Sequence, residues 1–208
     1  CRISRVGKLM NFWDERYNTL EYVYGIQPNE FVREMAHHIP KGNVLCLGEG
    51  EGRNAVFLAE HGYTVTAVDA SKIGLQKAEH LAHSRGVKIQ TRLIDLADFV
   101  IEPDTWQGIV ATFVHLPQSL RARVHRDCVV GLSPGGVLVI EAFTPKQLHF
   151  QTGGPRKLEL LMDLQSLKQE FKGLELMHAK EVERELPEGL YHRGTAAVVQ
   201  ILGRKPAS

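Results

Sequence analysis

Asn43-Val-Leu-Cys-Leu-Gly-Glu-Gly-Glu-Gly52 constrains this chain more than any other stretch: an apolar run that breaks into three glycines at alternate positions. Such a run reads as a buried parallel strand whose carboxyl end turns sharply beneath a ligand. Glycine permits positive φ there and lets the backbone approach the bound group. A second run, Tyr63-Thr-Val-Thr-Ala-Val-Asp69, closes on a carboxylate. An acid at that point suits a ribose, because its oxygens accept hydrogen bonds from both hydroxyls. The pair predicts an adenosine-containing cofactor.

The rest of the chain alternates helix and strand. Pro28 to Ile39 sets Phe31, Val32, Met35, Ala36 and Ile39 on one helical stripe. Strands are predicted at 43–47, 63–69, 87–94, about 107–113 and 137–143, with Ser133-Pro-Gly-Gly136 as a turn into the last. Helices are predicted at 53–61, from Ser71 to near Gly86, from Pro117 to about Leu132, and over Leu158 to Phe171. Parallel strands linked by right-handed crossovers cover both sheet faces, which predicts an α/β, Rossmann-like doubly wound fold. The ending differs. Runs at about 173–184 and 191–203 are joined by Leu186-Pro-Glu-Gly-Leu190 with no helix between them. An antiparallel hairpin on the sheet edge follows, giving a seven-stranded, mostly parallel sheet.

A length of 208 residues suits a single domain, placed at 12–204. The chain begins at Cys1, and Met10 precedes Asn11; residues 1–11 read as an N-terminal extension, in part of open origin, and 1–9 receive no role. A formal charge of +1 argues against broad nucleic-acid binding. No apolar run reaches the length of a membrane span, and no signal-peptide core is visible. Cys1, Cys46 and Cys128 form neither metal spacing nor a disulfide framework, and His37-His38 lacks a third ligand nearby, so no metal is expected. A reducing cytoplasm is the expected location. Oligomeric state leaves no signal.

A dinucleotide fingerprint places its third glycine where this chain has Arg53. Together with the C-terminal hairpin, that difference turns the reading from nicotinamide toward another adenosine cofactor. Here the chain resembles the class I S-adenosylmethionine-dependent methyltransferases. Val44 to Gly52 is similar to their first motif, Val68-Asp69 to the second, Leu93-Ile-Asp95 to the third, and Leu132-Ser-Pro-Gly-Gly-Val-Leu138 to the turn before strand five. Phe12-Trp-Asp-Glu-Arg-Tyr17 is similar to the segment that covers the cofactor in many members. Within the superfamily, Gly52-Arg-Asn54 and the short length look most like the tellurite-resistance and thiopurine methyltransferase-like branch.

The resemblance implies S-adenosyl-L-methionine as cofactor, held by Trp13, Tyr17, Gly48, Glu49, Gly50, Gly52, Arg53, Asp69, Ala70, Asp95, Leu96 and Phe113. Asp95 would accept from the adenine amino group or simply brace a turn. Trp13 and Tyr17, four apart, share a helical face that lids the cofactor or packs in the core. Arg53 contacts the methionine carboxylate or is solvated. Many members carry Asp where this chain has Cys46; Glu49 is expected to compensate by facing the cofactor's ammonium.

A small molecule is the expected acceptor, a chalcogen oxyanion or thiol by analogy with the branch. Ala111-Thr-Phe-Val-His-Leu-Pro117 lacks the signature of amino-methylating DNA enzymes. Candidate bases are His115, Glu141 and His192, and His115, Arg156, Tyr191 and His192 are candidates to line the acceptor site. Two other readings stay open: a cofactor-binding sensor or partner protein without chemistry, and a nicotinamide-dependent oxidoreductase.

Overall fold

The computed structural model describes residues 6–189 and 192–207, apart from the side chains of 6–11 and 192. Helix α1 (Val6–Tyr17) joins the described part of the expected extension, 6–11, to Phe12–Tyr17, and residues 1–5 of that extension lie outside the described residues. Helix α2 (Glu30–Met35) passes into a 3-10 turn at Ala36–His38. Then follow β1 (Asn43–Leu47), α3 (Arg53–Glu60), β2 (Thr64–Asp69), α4 (Lys72–Ser84), β3 (Gln90–Leu93), β4 (Trp106–Thr112), α5 (Gln118–Gly131) and β5 (Leu132–Phe143). Two 3-10 turns, Pro145–His149 and Leu158–Leu160, lead to α6 (Leu164–Glu170) and the hairpin β6 (Glu175–Glu188) and β7 (His192–Arg204).

The seven strands lie in the order β3-β2-β1-β4-β5-β7-β6. The first five pair in parallel, whereas β7 is antiparallel to both β5 and β6. The expected α/β, Rossmann-like, mostly parallel sheet with a terminal hairpin is the architecture found. The central strands read as unbroken apolar runs because helices bury both their faces. The strand period of two divides them: Val44, Cys46, Val110, Val137 and Val139 join the core beneath α2, α3 and α4. Leu45, Leu47, Ile109, Ala111, Leu138 and Ile140 join the opposite core, with Val124 and Cys128 of α5 and Leu167 of α6.

Three elements depart from expectation, each for a tertiary reason. The helix expected over Leu158 to Phe171 is broken, because Leu161 and Met162 are buried in an extended link and the Met162 amide donates to the Phe143 carbonyl at 3.0 Å. Asp163 then caps α6, accepting from the Ser166 amide at 2.8 Å. The Ser133–Gly136 turn is absorbed into β5, where the register with β4 shifts between Trp106 and Gly108. The expected hairpin linker is mostly strand, with Leu186 facing Gly194 and Pro187 facing Arg193. Proline is tolerated because β6 is an edge strand. No described helix is long and apolar enough to cross a membrane.

Candidate functional site

The crook after β1 is built from backbone that only glycine adopts cheaply. Gly48, Gly50 and Gly52 have φ of 58°, 61° and 90°. A Cβ on Gly50 would lie 2.5 Å from the Tyr17 hydroxyl, and one on Gly48 would lie 2.8 Å from a Val114 methyl. Gly52 serves packing instead: a Cβ there would stand 2.7 Å from the Ala78 backbone on α4. Asp69, 8% exposed at the end of β2, closes the crook. Its Oδ2 accepts from the Gly50 amide at 2.8 Å and its Oδ1 from the Ser71 amide at 2.7 Å. A carboxylate carries about four lone-pair sites, so each oxygen keeps capacity for a ligand hydroxyl. Burial pushes Asp69 up in pKa, opposed by these amide bonds. Ala70, half-buried, links it to Ser71, whose hydroxyl caps α4 by accepting from Gly74 at 3.0 Å.

Glu49, expected to face the cofactor's ammonium, caps a helix in this structure. Its Oε1 accepts from the amides of Asn54 and Ala55 at 2.9 and 2.8 Å, capping α3, whose N-cap residue Gly52 has no side chain to do so. Burial raises its pKa from 4.5 to about 7, against the two amides and Arg53. The sign follows from linkage: the folded state binds the proton more tightly than the unfolded chain. The penalty for the buried charge is therefore absent below pH 4.5 and complete above about pH 7. Glu49→Gln keeps an oxygen for both amides. It is expected to stabilise the protein at pH 8 by on the order of 1–3 kcal/mol and to change little at pH 4.5. Urea unfolding at the two pH values checks this; equal effects at both would remove Glu49 as the titrating group.

Helix α1 packs its Trp13 and Tyr17 side against the crook. Trp13 stacks on Tyr17 with centroids 5.6 Å apart, and the Tyr17 ring lies against Gly50 and Gly74. Asp14, unremarked in the sequence, fixes α1 across α4: its Oδ1 accepts from the Ser71 hydroxyl at 2.6 Å and the Ile73 amide at 3.3 Å. A carboxylate there also suits the positive end of α4. Burial and the Asp69 charge hold the Tyr17 hydroxyl well above its usual range.

Arg53 is neither solvated nor alone. Its Nη2 donates to Glu188 Oε2 at 2.8 Å, both side chains being buried. Glu188 Oε1 accepts from Arg184 at 3.1 Å and Asn29 at 3.0 Å. Arg184 in turn grips Glu141 through Nε at 2.9 Å and Nη2 at 2.6 Å. Glu141, 0% exposed, also accepts from Asn29 at 2.6 Å and Gln200 at 2.7 Å. The result is a buried ladder of alternating charge running from the crook to the hairpin. Glu141 is taken up by donors on both oxygens, the geometry of a structural anion rather than of a proton acceptor. Asn29, Arg184 and Glu188 were missed by sequence reasoning because they lie far from the motifs. Arg184 and Glu188 are also hidden among the other charged residues of β6, so no local signal marks them.

The remaining residues divide by place. Asp95 braces its own turn, Oδ1 accepting from Ala97 at 2.7 Å, and Leu96 is buried with its carbonyl held by Arg123. Phe113, after β4, has a φ of 56°, rare for an aromatic residue and worth roughly 1–3 kcal/mol of strain. Its amide donates to the Glu141 carbonyl at 2.8 Å and its ring packs 4.5 Å from Phe143. His115 lies over the same Phe143 ring, 5.5 Å away, with Nδ1 donating to the Leu160 carbonyl at 2.8 Å. Arg156 is exposed and donates to the Phe150 carbonyl at 3.0 Å, holding its own loop. Tyr191 and the His192 side chain lie outside the described residues.

Residues 44–136 match the family model described as a methyltransferase domain. A 2-heptyl-1-hydroxyquinolin-4(1H)-one methyltransferase from Mycobacteroides abscessus is 28% identical over 117 residues, 55% of this chain and 52% of that protein. The chain thus aligns with about half the length of this curated relative. Among solved structures, TehB from Haemophilus influenzae superposes with a TM-score of 0.71 at 23% identity, covering 94% of this chain and 66% of that one. A SAM-dependent methyltransferase from Methanosarcina mazei gives 0.69 at 17% identity, covering 88% and 100%. At such identities the superpositions show the fold alone.

Proposed function

We propose that this chain is an S-adenosyl-L-methionine-dependent methyltransferase whose acceptor is a small molecule. The matched domain family and the fold imply S-adenosyl-L-methionine as the cofactor. The carrying observation is the crook itself, where positive-φ Gly48 and Gly50 leave no room for a Cβ and the braced Asp69 carboxylate stands at its edge.

Asp69 would hold the ribose hydroxyls, Asp95 the adenine amino group, and Leu96 the ring. Gly48 and Gly50 would give the methionine portion its close approach. Trp13 and Tyr17 on α1 would shut out water. Arg53 would lend positive charge toward the cofactor's carboxylate while Glu188 fixes its orientation. When bound, the cofactor supplies an electrophilic methyl group for in-line displacement. The protein's part is alignment and exclusion of water. The Leu160 carbonyl fixes the His115 proton on Nδ1 and so its tautomer. An oxygen or nitrogen acceptor would use such a base; a thiolate or a chalcogen oxyanion would need none.

Phe113 and His115, both half-buried, stand on the buried Phe143 ring and form an aromatic wall beside strand ends β4 and β5. Of the small acceptors expected for the branch, that wall favours a flat heteroaromatic thiol or hydroxyl over an oxyanion. The Mycobacteroides relative is named for a hydroxyquinolinone. Cytoplasmic location, and action without nucleic acid or membrane, belong to the same reading.

S-adenosylhomocysteine is expected to bind in calorimetry, and aromatic thiols and hydroxyls are expected to release it from S-adenosylmethionine. NAD(P) binding without S-adenosylhomocysteine binding would overturn the proposal. A binding protein without chemistry is the second reading, favoured by the full engagement of Glu141; binding without release across thiols, hydroxyls, amines, tellurite and selenite would establish it.

A further inference from the structure

His125 was not singled out by any motif, yet its imidazole is held on both an edge and a face. It lies on α5, 6% exposed, with Nδ1 donating to Glu170 Oε2 at 2.6 Å. Glu170 is itself clamped by Arg121, through Nε at 3.1 Å and Nη2 at 2.7 Å. The His125 ring stacks on Phe171 at 4.5 Å. Rotation is thereby prevented and the tautomer set: the proton is on Nδ1, and Nε2 carries the lone pair. Nε2 makes no hydrogen bond among the described residues, and the ring lines a small cavity. Glu141, its oxygens already taken up by donors, also lines that cavity, and the remaining walls are apolar side chains including Leu47, Val114, Cys128, Ile140 and Met162. Its inner space is about 10 Å³, room for one water or one hydroxyl.

Position gives the cavity meaning. Leu47 is the residue before Gly48, and the Val114 side chain that forms another wall is the one packed on Gly48. The cavity therefore lies directly behind the crook, beneath the strained segment that begins at Phe113. A pin between α5 and α6 needs only the Arg121–Glu170 pair. An oriented imidazole lone pair without a partner in the chain is an acceptor available to a ligand donor.

We propose that this cavity is a hydroxyl subsite of the acceptor pocket, in which His125 Nε2 accepts the hydrogen bond of a hydroxyl group on the small-molecule acceptor. This rests on the methyltransferase reading for the ligand's role but not for its binding. Burial keeps the imidazole below its ordinary pKa despite the neighbouring carboxylate, so it presents a lone pair at neutral pH. Burial pushes Glu170 up, but its bonds from His125 and Arg121 outweigh this and hold it ionised.

The test uses the unaltered protein, with the His125 ring nitrogens observed by NMR and assigned through their own backbone. Phenol is the probe, and benzene, alike in shape but without a donor, is the control. Phenol is expected to shift the Nε2 resonance saturably and to bind about fivefold more tightly than benzene, the scale of one net hydrogen bond. Equal affinity would mean that the phenol hydroxyl gains nothing from Nε2, and absence of a saturable shift would leave the cavity a structural gap; either overturns the proposal. S-adenosylhomocysteine binding, measured on the same sample, reports separately on the methyltransferase reading.

Discussion

Arg184→Met is expected to lower the melting temperature by roughly 10 °C. The side chain is the only cation in contact with Glu141 among the described residues, and it also meets Glu188. Removing one partner of a buried pair leaves an uncompensated charge, worth about 3–5 kcal/mol. In a chain of this size each kcal/mol moves the midpoint by about 2–4 °C. Neutralising the orphan should recover much of the loss, so Arg184→Met with Glu141→Gln is expected to melt well above the single variant. Differential scanning calorimetry of both decides it. A single variant within about 2 °C of the parent would mean that the ladder is solvated in solution. The effect should also reach the crook, because Glu188 loses one of the groups that hold it against Arg53.

Asp69→Asn is expected to weaken S-adenosylhomocysteine binding about 100-fold, the sum of two charge-assisted hydrogen bonds. The carboxylate has two tasks. It accepts from Gly50 and Ser71 within the chain, and it offers its remaining lone pairs outward. An amide cannot do both, since its NH2 must face one of the two backbone donors. The crook itself should loosen, costing about 1–2 kcal/mol of stability in addition. Asp95→Asn is the contrast: an amide oxygen still accepts from Ala97, so stability should barely move. Isothermal calorimetry measures the affinities. If Asp69→Asn bound within about threefold of the parent, Asp69 would be a loop brace and no more.

The two experiments probe parts of the site that differ in how they could be read. The crook announces itself: three alternate glycines after an apolar run have few other uses, and Asp69 sits at a fixed interval from them. Glu49 lay in the same motif, yet its cap on α3 was not read from it, because a glutamate beside a loop faces either the ligand or the helix that follows. Capping won, since Gly52 leaves the α3 amides without a side-chain acceptor. Arg53 was read as touching the cofactor or water, but its buried partner lies 135 residues away on β6. His115 was singled out from its place after β4. His125, on a helix that reads as ordinary amphipathic packing, was not.

What the linear order of residues determined was everything carried by local chemistry and short period. That covers strand against helix, the glycine turn, the acid that closes the second strand, and the doubly wound sheet with its hairpin. Backbone conformation and alternation of burial are set by near neighbours, and near neighbours are written side by side. Only the tertiary structure decided which charges meet. Glu141, Arg184 and Glu188 are brought together by the antiparallel pairing of β5, β7 and β6, Arg53 joins them from the start of α3, and Glu170 reaches His125 only once α6 lies on α5. A long side chain takes whichever partner burial leaves it, and burial belongs to the assembled fold.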